Sequence, residues 1–175
     1  MKKKIIAAFL TAAMTIGSLS GVTVFAADAS TDENVEMADA SDVDGTTITF
    51  WHSMGGVNGE AIDTLVKKFN DENEYGITVD AQYQGEYDDS LNKLKSAQIG
   101  NMGADLVQVY EIGTRFMIDS GWIVPMQQMI DADSYDVSEI EPNLAAYYTI
   151  DNELYSMPFN SSTPIMYYNK DCLLY

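Results

Sequence analysis

The chain has 175 residues, of which 46% are hydrophobic, and its 9 basic and 27 acidic residues give a formal net charge of −18 at pH 7. So large a negative charge excludes nucleic acid and anionic membrane surfaces as expected partners. The single cysteine, Cys172, excludes an intrachain disulfide and a cysteine-based metal site.

The first 26 residues are typical of a secretory signal peptide. Lysines at positions 2–4 precede a largely apolar run over residues 5–24, and we expect cleavage after the small residue Ala26. Leu19-Ser20-Gly21-Val22 resembles a lipobox in which valine replaces the lipid-carrying cysteine, with a chance likeness as the alternative. We therefore expect an exported protein, periplasmic or extracellular, without a lipid anchor.

An acidic segment separates this leader from the part of the chain that can fold. Residues 27–45 contain seven acidic side chains and few large apolar ones, a composition that predicts a disordered linker. Residues 46–175 have the length of one domain, so the predicted organisation is a leader at 1–26, a linker at 27–45 and a single folded unit.

Strands and helices alternate through the first half of the folded unit. Runs of β-branched and aromatic residues predict strands at 47–51, around Ile77 and Val79, and at 106–109. The predicted helices comprise one with an apolar face of Ile62, Leu65, Val66 and Phe69, one capped by Asp88 or Asp89 and ending at Gly100, and one at 114–120 ending at Gly121.

The second half is less regular. It predicts a short strand at 122–124 before Pro125, a helix at 143–148, and a strand at 154–157. Glycine-rich residues 55–59 predict a turn outside any helix. They match neither G-x-x-x-x-G-K-[ST] nor G-x-G-x-x-G, so nucleotide binding lacks support.

The alternation of strands and helices favours an α/β fold with a parallel sheet, because parallel strands need crossover connections. Ligands of such sheets bind at the carboxyl ends of the strands. Three loops meet this condition: residues 51–53, residues 84–87, and Glu111 after the third strand.

Five motifs in these loops and beyond them resemble those of the extracellular solute-binding proteins of carbohydrate-type ABC importers, and among these the glycerol-3-phosphate-binding proteins. They are Phe50-Trp51-His52-Ser53-Met54, Tyr83-Gln84-Gly85-Glu86-Tyr87, Gln108-Val109-Tyr110-Glu111, Pro158-Phe159-Asn160-Ser161-Ser162-Thr163-Pro164 and Tyr167-Tyr168-Asn169-Lys170-Asp171. The resemblance implies a periplasmic-binding-protein fold of type II with two lobes. Residues 46–175 would then be the amino-terminal lobe only, truncated near the crossover to a missing second lobe.

The resemblance implies ligand-binding roles for Tyr87, Glu111 and Ser162, with Trp51 and Ser161 as further candidates. A carboxylate such as Glu111 can accept two hydrogen bonds from adjacent hydroxyls of a polyol. A tyrosine offers a flat apolar face with a hydroxyl, and serine offers a hydroxyl donor. By position alone, Glu111 is consistent with a solvated charge, Tyr87 and Trp51 with packing, and Ser162 with a turn.

The resemblance thus implies a monomeric, non-enzymatic receptor that delivers glycerol-3-phosphate or a glycerophosphodiester to a membrane permease, without cofactor or metal. An oligosaccharide ligand, or a truncated fragment without binding activity, stays open. A secreted glycoside hydrolase would need two carboxylates about 5–10 Å apart, and Glu111 has no evident partner in the sequence. His52 is the sole histidine, which is poor support for a metal site or a catalytic triad.

Overall fold

The structure is a computed structural model that describes residues 43–100 and 102–173. The predicted signal peptide and most of the predicted linker lie outside the described residues. The elements, in chain order, are β1 (Thr47–His52), α1 (Gly56–Glu72), β2 (Thr78–Tyr83), α2 (Tyr87–Ile99), β3 (Leu106–Val107), α3 (Glu111–Ser120), α4 (Met126–Asp133), α5 (Pro142–Tyr147), β4 (Thr149–Ile150), β5 (Glu153–Leu154) and a 3₁₀ turn at Lys170–Leu173.

Three parallel strands form the main sheet, with β1 between β2 and β3. Phe50 in β1 is paired with Ala81 on one side and with Leu106 on the other. The helices α1 and α2 supply the crossover connections that parallel strands require. The predicted α/β fold with a parallel sheet and flanking helices is confirmed, and β4 and β5 add a separate antiparallel pair.

The third strand is shorter than the predicted 106–109. Its backbone pairs with β1 only at Leu106 and Val107. Side chains continue the hydrogen bonding at both ends, because Asp105 Oδ2 accepts from the Thr49 N–H at 2.9 Å and Gln108 Oε1 accepts from the Ser53 N–H at 3.0 Å. The outer N–H groups of β1 are therefore satisfied without a longer β3.

The core lies against one face of β1. Ile48, Phe50 and His52 share that face through the alternation of a strand, and all three are buried. Phe50 packs with Met54 and with Ile62 of α1. The amphipathic prediction for α1 is confirmed for Ile62, which is buried, and wrong for Leu65, whose exposed fraction is 60%.

The packed part of the chain begins before the predicted linker boundary. Val43 is 1% exposed and packs with Ile48 and Ile77. The end of the segment assigned from composition to a disordered linker is therefore part of the core. One apolar residue in an acidic run is too weak a signal to show this.

The glycine-rich turn is partly helical, contrary to prediction. Gly56–Gly59 form the first turn of α1, and Gly56 has a φ of +56° that favours glycine. A Cβ on Gly59 would lie 2.8 Å from the Met54 carbonyl oxygen. The glycines therefore permit a tight passage from β1 into α1.

Several other local predictions were wrong. Residues 122–124 form no strand, and α4 follows Pro125 where no helix was predicted. Glu86, rather than Asp88 or Asp89, is the N-cap residue of α2, and it makes no side-chain capping bond. The strand predicted at 154–157 is reduced to Glu153–Leu154, whereas Gly100 and Gly121 end their helices as predicted.

Two asparagines near the end of α1 attach this helix to the segment that enters β2. Asn70 donates to the Val79 carbonyl at 3.0 Å and accepts from the Val79 N–H at 2.7 Å. Asn73 accepts from the N–H groups of Tyr75 and Ile77, and its amide donates to the Ile77 carbonyl at 2.9 Å. These side chains hold the first crossover in place.

Replacing Asn73 with alanine should lower the free energy of unfolding by about 1–3 kcal/mol, since partly buried backbone groups at Tyr75 and Ile77 would lose their partners. Chemical denaturation of the chain measures this difference. Asn92→Ala on α2 is the control, because Asn92 is exposed and its side chain bonds to no described residue. Equal losses of stability in the two variants would contradict the role of Asn73 in attaching α1 to the segment that enters β2.

No helix within residues 43–100 and 102–173 combines the length and apolarity needed to cross a membrane.

Candidate functional site

The carboxyl ends of the three parallel strands meet at one edge of the sheet, as predicted. The Gln84 N–H donates to the His52 carbonyl at 2.9 Å, and the Gln108 N–H donates to the Trp51 carbonyl at 2.8 Å. The loops after β2 and β3 are thus tied to the end of β1. Residues 84–87 and 108–111 leave the sheet beside each other.

A pair of tyrosines joins the helices that begin at this edge. Tyr87 is the first residue of α2, and Tyr110 directly precedes α3. Their rings are stacked, with centroids 5.3 Å apart and planes 4° from parallel. The Tyr110 hydroxyl also donates to Asp88 Oδ1 at 2.5 Å, and this hydrogen bond raises the pKa of Tyr110. The Tyr87 ring is therefore held by a neighbour that is itself anchored.

Glu111 lies next to this pair and close to a third tyrosine. It is exposed and begins α3, where the helix dipole favours a negative charge. Burial raises the pKa of the Tyr148 phenol, and the nearby charges of Glu111, Tyr147 and Tyr87 raise it further. Tyr148 therefore lies within electrostatic reach of both Glu111 and Tyr87 at the sheet edge.

The space beneath the tyrosine pair is filled by protein. The groove between α2 and residues 107–110 holds no cavity large enough for a water molecule. Ser90, whose Oγ is buried there, has no hydrogen-bond partner in the described structure. This groove serves packing, and the half-buried Tyr87 also packs against the core cluster of Phe50, Met54 and Ile62.

Trp51 lies on β1 and is half-buried. Its indole N–H donates to Gln82 Oε1 on the neighbouring strand at 3.1 Å. Within the described residues it makes no ring contact with Tyr87 or the other tyrosines. Its observed role is to join β1 and β2, and a ligand contact stays a prediction.

Ser161 and Ser162 are exposed in a segment without helix or strand. In the described part of the chain, neither serine is hydrogen-bonded to Tyr87 or Glu111. Their neighbour Asn160 is the point of attachment, because its Oδ1 accepts from Gln108 Nε2 at 3.2 Å. The structure thus places Tyr87 and Glu111 at one edge, and the loop of the two serines is hydrogen-bonded to that edge through Asn160.

His52 is a packing residue in this structure. It is 3% exposed, its ring contacts Phe50 and Tyr83, and its Nδ1 accepts from the Met54 N–H at 3.3 Å. No cluster of metal-ligating side chains occurs among residues 43–100 and 102–173. Burial lowers the pKa of His52 below its usual 6.5, while the charge of Asp63 opposes the shift.

Four residues at this edge were not among the predicted contacts: Gln108, Tyr110, Tyr148 and Asn160. Tyr110 and Gln108 belong to the motif that ends at Glu111, so their position after a strand could have indicated them. Tyr148 carries no local signal, because it is brought near Glu111 from the end of α5.

The lowered pKa of His52 should make stability depend on acidity. The unfolded chain binds the proton more readily than the folded chain, so stability falls as pH drops below about 6.5 towards the folded pKa. His52→Asn removes the titration but retains an acceptor for the Met54 N–H. We expect the fall in Tm between about pH 7.5 and about pH 5 to be smaller in this variant than in the wild type. Equal falls would contradict the assignment.

The bond between Tyr110 and Asp88 can be tested by titrating the phenol. Asp88→Asn should lower the pKa of Tyr110 towards its usual value of 10.0, because the carboxylate that holds the phenolic proton is lost. Site-specific labelling of tyrosine followed by NMR measures the titration. Asp89→Asn, one position along the same helix turn, is the control and should leave the Tyr110 curve in place. An unchanged curve in Asp88→Asn would contradict the contact.

Known proteins share the sequence and the fold of this chain. A family model described as bacterial extracellular solute-binding protein matches residues 64–173. The sn-glycerol-3-phosphate-binding periplasmic protein UgpB of Salmonella typhimurium is 43% identical over 132 residues, which are 72% of this chain and 30% of the relative. UgpB of Escherichia coli K12 is 41% identical over the same shares.

A solved structure shows the same fold. The cyclic α-maltosyl-1,6-maltose binding protein of Arthrobacter globiformis superposes with a TM-score of 0.53 at 21% identity, covering 62% of this chain and 27% of that one. The chain therefore spans about 30% of the length of the curated relatives it matches.

Proposed function

Because the chain belongs to the bacterial extracellular solute-binding protein family, we propose that it supplies one wall of the ligand cleft of an ABC-importer receptor. The family is one of non-catalytic solute-binding proteins, which agrees with the prediction that the chain is not an enzyme. The proposed ligand is a small polyol phosphate such as glycerol-3-phosphate or a glycerophosphodiester. The proposed partner is a membrane permease, reached from the periplasm or the cell exterior by a chain that acts as a monomer.

One observation carries this proposal: the half-buried Tyr87 and the exposed Glu111 stand at the starts of α2 and α3, at the carboxyl edge of the sheet. Tyr87 is held by the 5.3 Å stack on Tyr110, and Glu111 stands at the start of the next helix. A carboxylate beside an aromatic face suits a ligand with both C–H and O–H surfaces. Tyr148 adds a second phenol within reach of Glu111.

The glycerol end of the ligand is the part that this group suits. Glu111 carries a negative charge and accepts hydrogen bonds, so it favours hydroxyl donors over a phosphate. Ser162 and Ser161, in the loop attached through Asn160, are proposed to add hydroxyl donors, and Trp51 an apolar surface. The choice of a phosphorylated solute rests on the names of relatives that are 41–43% identical.

A neutral oligosaccharide is the second candidate ligand, since hydroxyl recognition by Tyr87 and Glu111 serves both. The structural relative named for a maltose-type sugar is only 21% identical, so its likeness supports the fold alone. Maltose is therefore the comparison ligand in the test.

Glu111→Gln and Tyr87→Leu should each weaken binding of glycerol-3-phosphate by about tenfold or more, since a charge-assisted acceptor or an aromatic face is lost. NMR titration of the 175-residue chain at millimolar ligand measures the affinity, because one wall of a cleft encloses little of the solute. Glu139→Gln and Tyr135→Leu, at exposed positions around α4 and α5, are the matched controls.

Wild-type affinity in both site variants would contradict the site. Binding of maltose in preference to glycerol-3-phosphate would contradict the proposed ligand and favour the oligosaccharide. Absence of shifts with either ligand in the wild-type chain would show that this chain by itself forms no binding surface.

A further inference from the structure

We propose that Gln108 is a positioning residue. It holds the loop that carries Ser161 and Ser162 at the carboxyl end of β1, at the same sheet edge as Tyr87 and Glu111. The inference rests on the proposed function for its effect on ligand affinity. The claim that the Gln108 side-chain amide orders this loop does not depend on the proposed function. It follows from the contacts of Gln108 and is tested without ligand.

Gln108 is fastened to β1 at two points. Its backbone N–H donates to the Trp51 carbonyl at 2.8 Å, and its side-chain Oε1 accepts from the Ser53 N–H at 3.0 Å. Trp51 and Ser53 are two residues apart, so these groups point to the same side of the strand. The side chain therefore takes up the next bond of the sheet after β3 has ended at Val107. This double attachment leaves the Gln108 amide little freedom to move.

The nitrogen of the same side-chain amide faces the loop. Gln108 Nε2 donates to Asn160 Oδ1 at 3.2 Å, and Asn160 Nδ2 lies 3.7 Å from Met54 Sδ. Among the described residues, every hydrogen bond that joins residues 158–168 to the rest of the protein involves Asn160. The other attachment is apolar, an edge-to-face contact of Phe159 with Phe50 at 6.2 Å.

The polar attachment sets the orientation of the loop. A single aromatic contact at Phe159 leaves the following residues free to rotate about it, whereas the bond to Gln108 adds a second, directional point one residue further on. Ser161 and Ser162 follow at once and are exposed. Ordering these hydroxyls before a ligand arrives reduces the entropy that binding must overcome.

The opposite end of β3 offers a matched control. Asp105 Oδ2 accepts from the Thr49 N–H at 2.9 Å, so it extends the strand as Gln108 does but touches no residue of the loop. Asp105→Ala and Gln108→Met each remove one side-chain oxygen that accepts a hydrogen bond from a backbone N–H at the edge of β1. Only Gln108→Met also removes the donor to Asn160.

The ligand-free test is the heteronuclear NOE of the Ser161 and Ser162 backbone amides, read with Tm. Both amides are exposed and neither is hydrogen-bonded in the described structure, so backbone order is the property that reports on this loop. Gln108→Met should lower the two NOE values, because the loop loses its directional attachment and moves more on the nanosecond timescale. Asp105→Ala should leave them unchanged. Similar NOE values for Ser161 and Ser162 in both variants would overturn the proposal, whatever the variants do to Tm.

A double-mutant cycle tests the route through Asn160. If Gln108 acts on the loop through this side chain, Gln108→Met should have no further effect on the Ser161 and Ser162 amides in an Asn160→Ala background. Additive effects of the two changes would overturn the route.

The same variants then separate this inference from the proposed function. Gln108→Met should weaken glycerol-3-phosphate binding severalfold, and Asp105→Ala should not. If the wild-type chain gives no shifts with glycerol-3-phosphate, the proposed function fails while the NOE data still decide the role of Gln108. If the ligand binds and the NOE values of Ser161 and Ser162 do not change, the positioning role fails alone.

Discussion

The structure depends on the pairing of β1 with a parallel strand on each side. Register with β2 runs from Thr47 to His52, and β3 adds its two residues opposite Phe50 and Trp51. Because the strands are parallel, each must return through a crossover, and all three carboxyl ends then fall at one edge. The buried face of β1 carries the core, while its end anchors the loops that form the candidate site.

Aromatic stacking and side-chain amides fix that edge where regular structure ends. Tyr110 holds Tyr87 by its ring and Asp88 by its hydroxyl, so the starts of α2 and α3 are joined directly. The side-chain amide of Gln108 likewise joins the end of β1 to Asn160 through two hydrogen bonds. A surface that is rigid before binding loses less entropy when a ligand is captured, which suits the proposed recognition of a small, flexible polyol.

Much of the fold followed from local patterns. The first strand, the helices ending at Gly100 and Gly121, and the parallel sheet could be predicted because periodicity and glycine act within a few residues. The motifs also indicated the family that the comparisons then showed. The prediction failed for α4, because Met126, Met129 and Ile130 recur at helical spacing but the helix is too short for a sustained period. It also failed for β3, whose last bond comes from a side chain.

The sequence by itself determined the fold class, the order of the elements as far as α3, and the position of Tyr87 and Glu111 directly after strand ends, because each depends on neighbouring residues. Only the tertiary structure decided which side chains meet there. The stack of Tyr87 on Tyr110, the approach of Tyr148 to Glu111 and the bond from Gln108 to Asn160 join residues 23 to 52 positions apart. Such contacts arise from the crossover geometry of the sheet, which no local pattern of residues encodes.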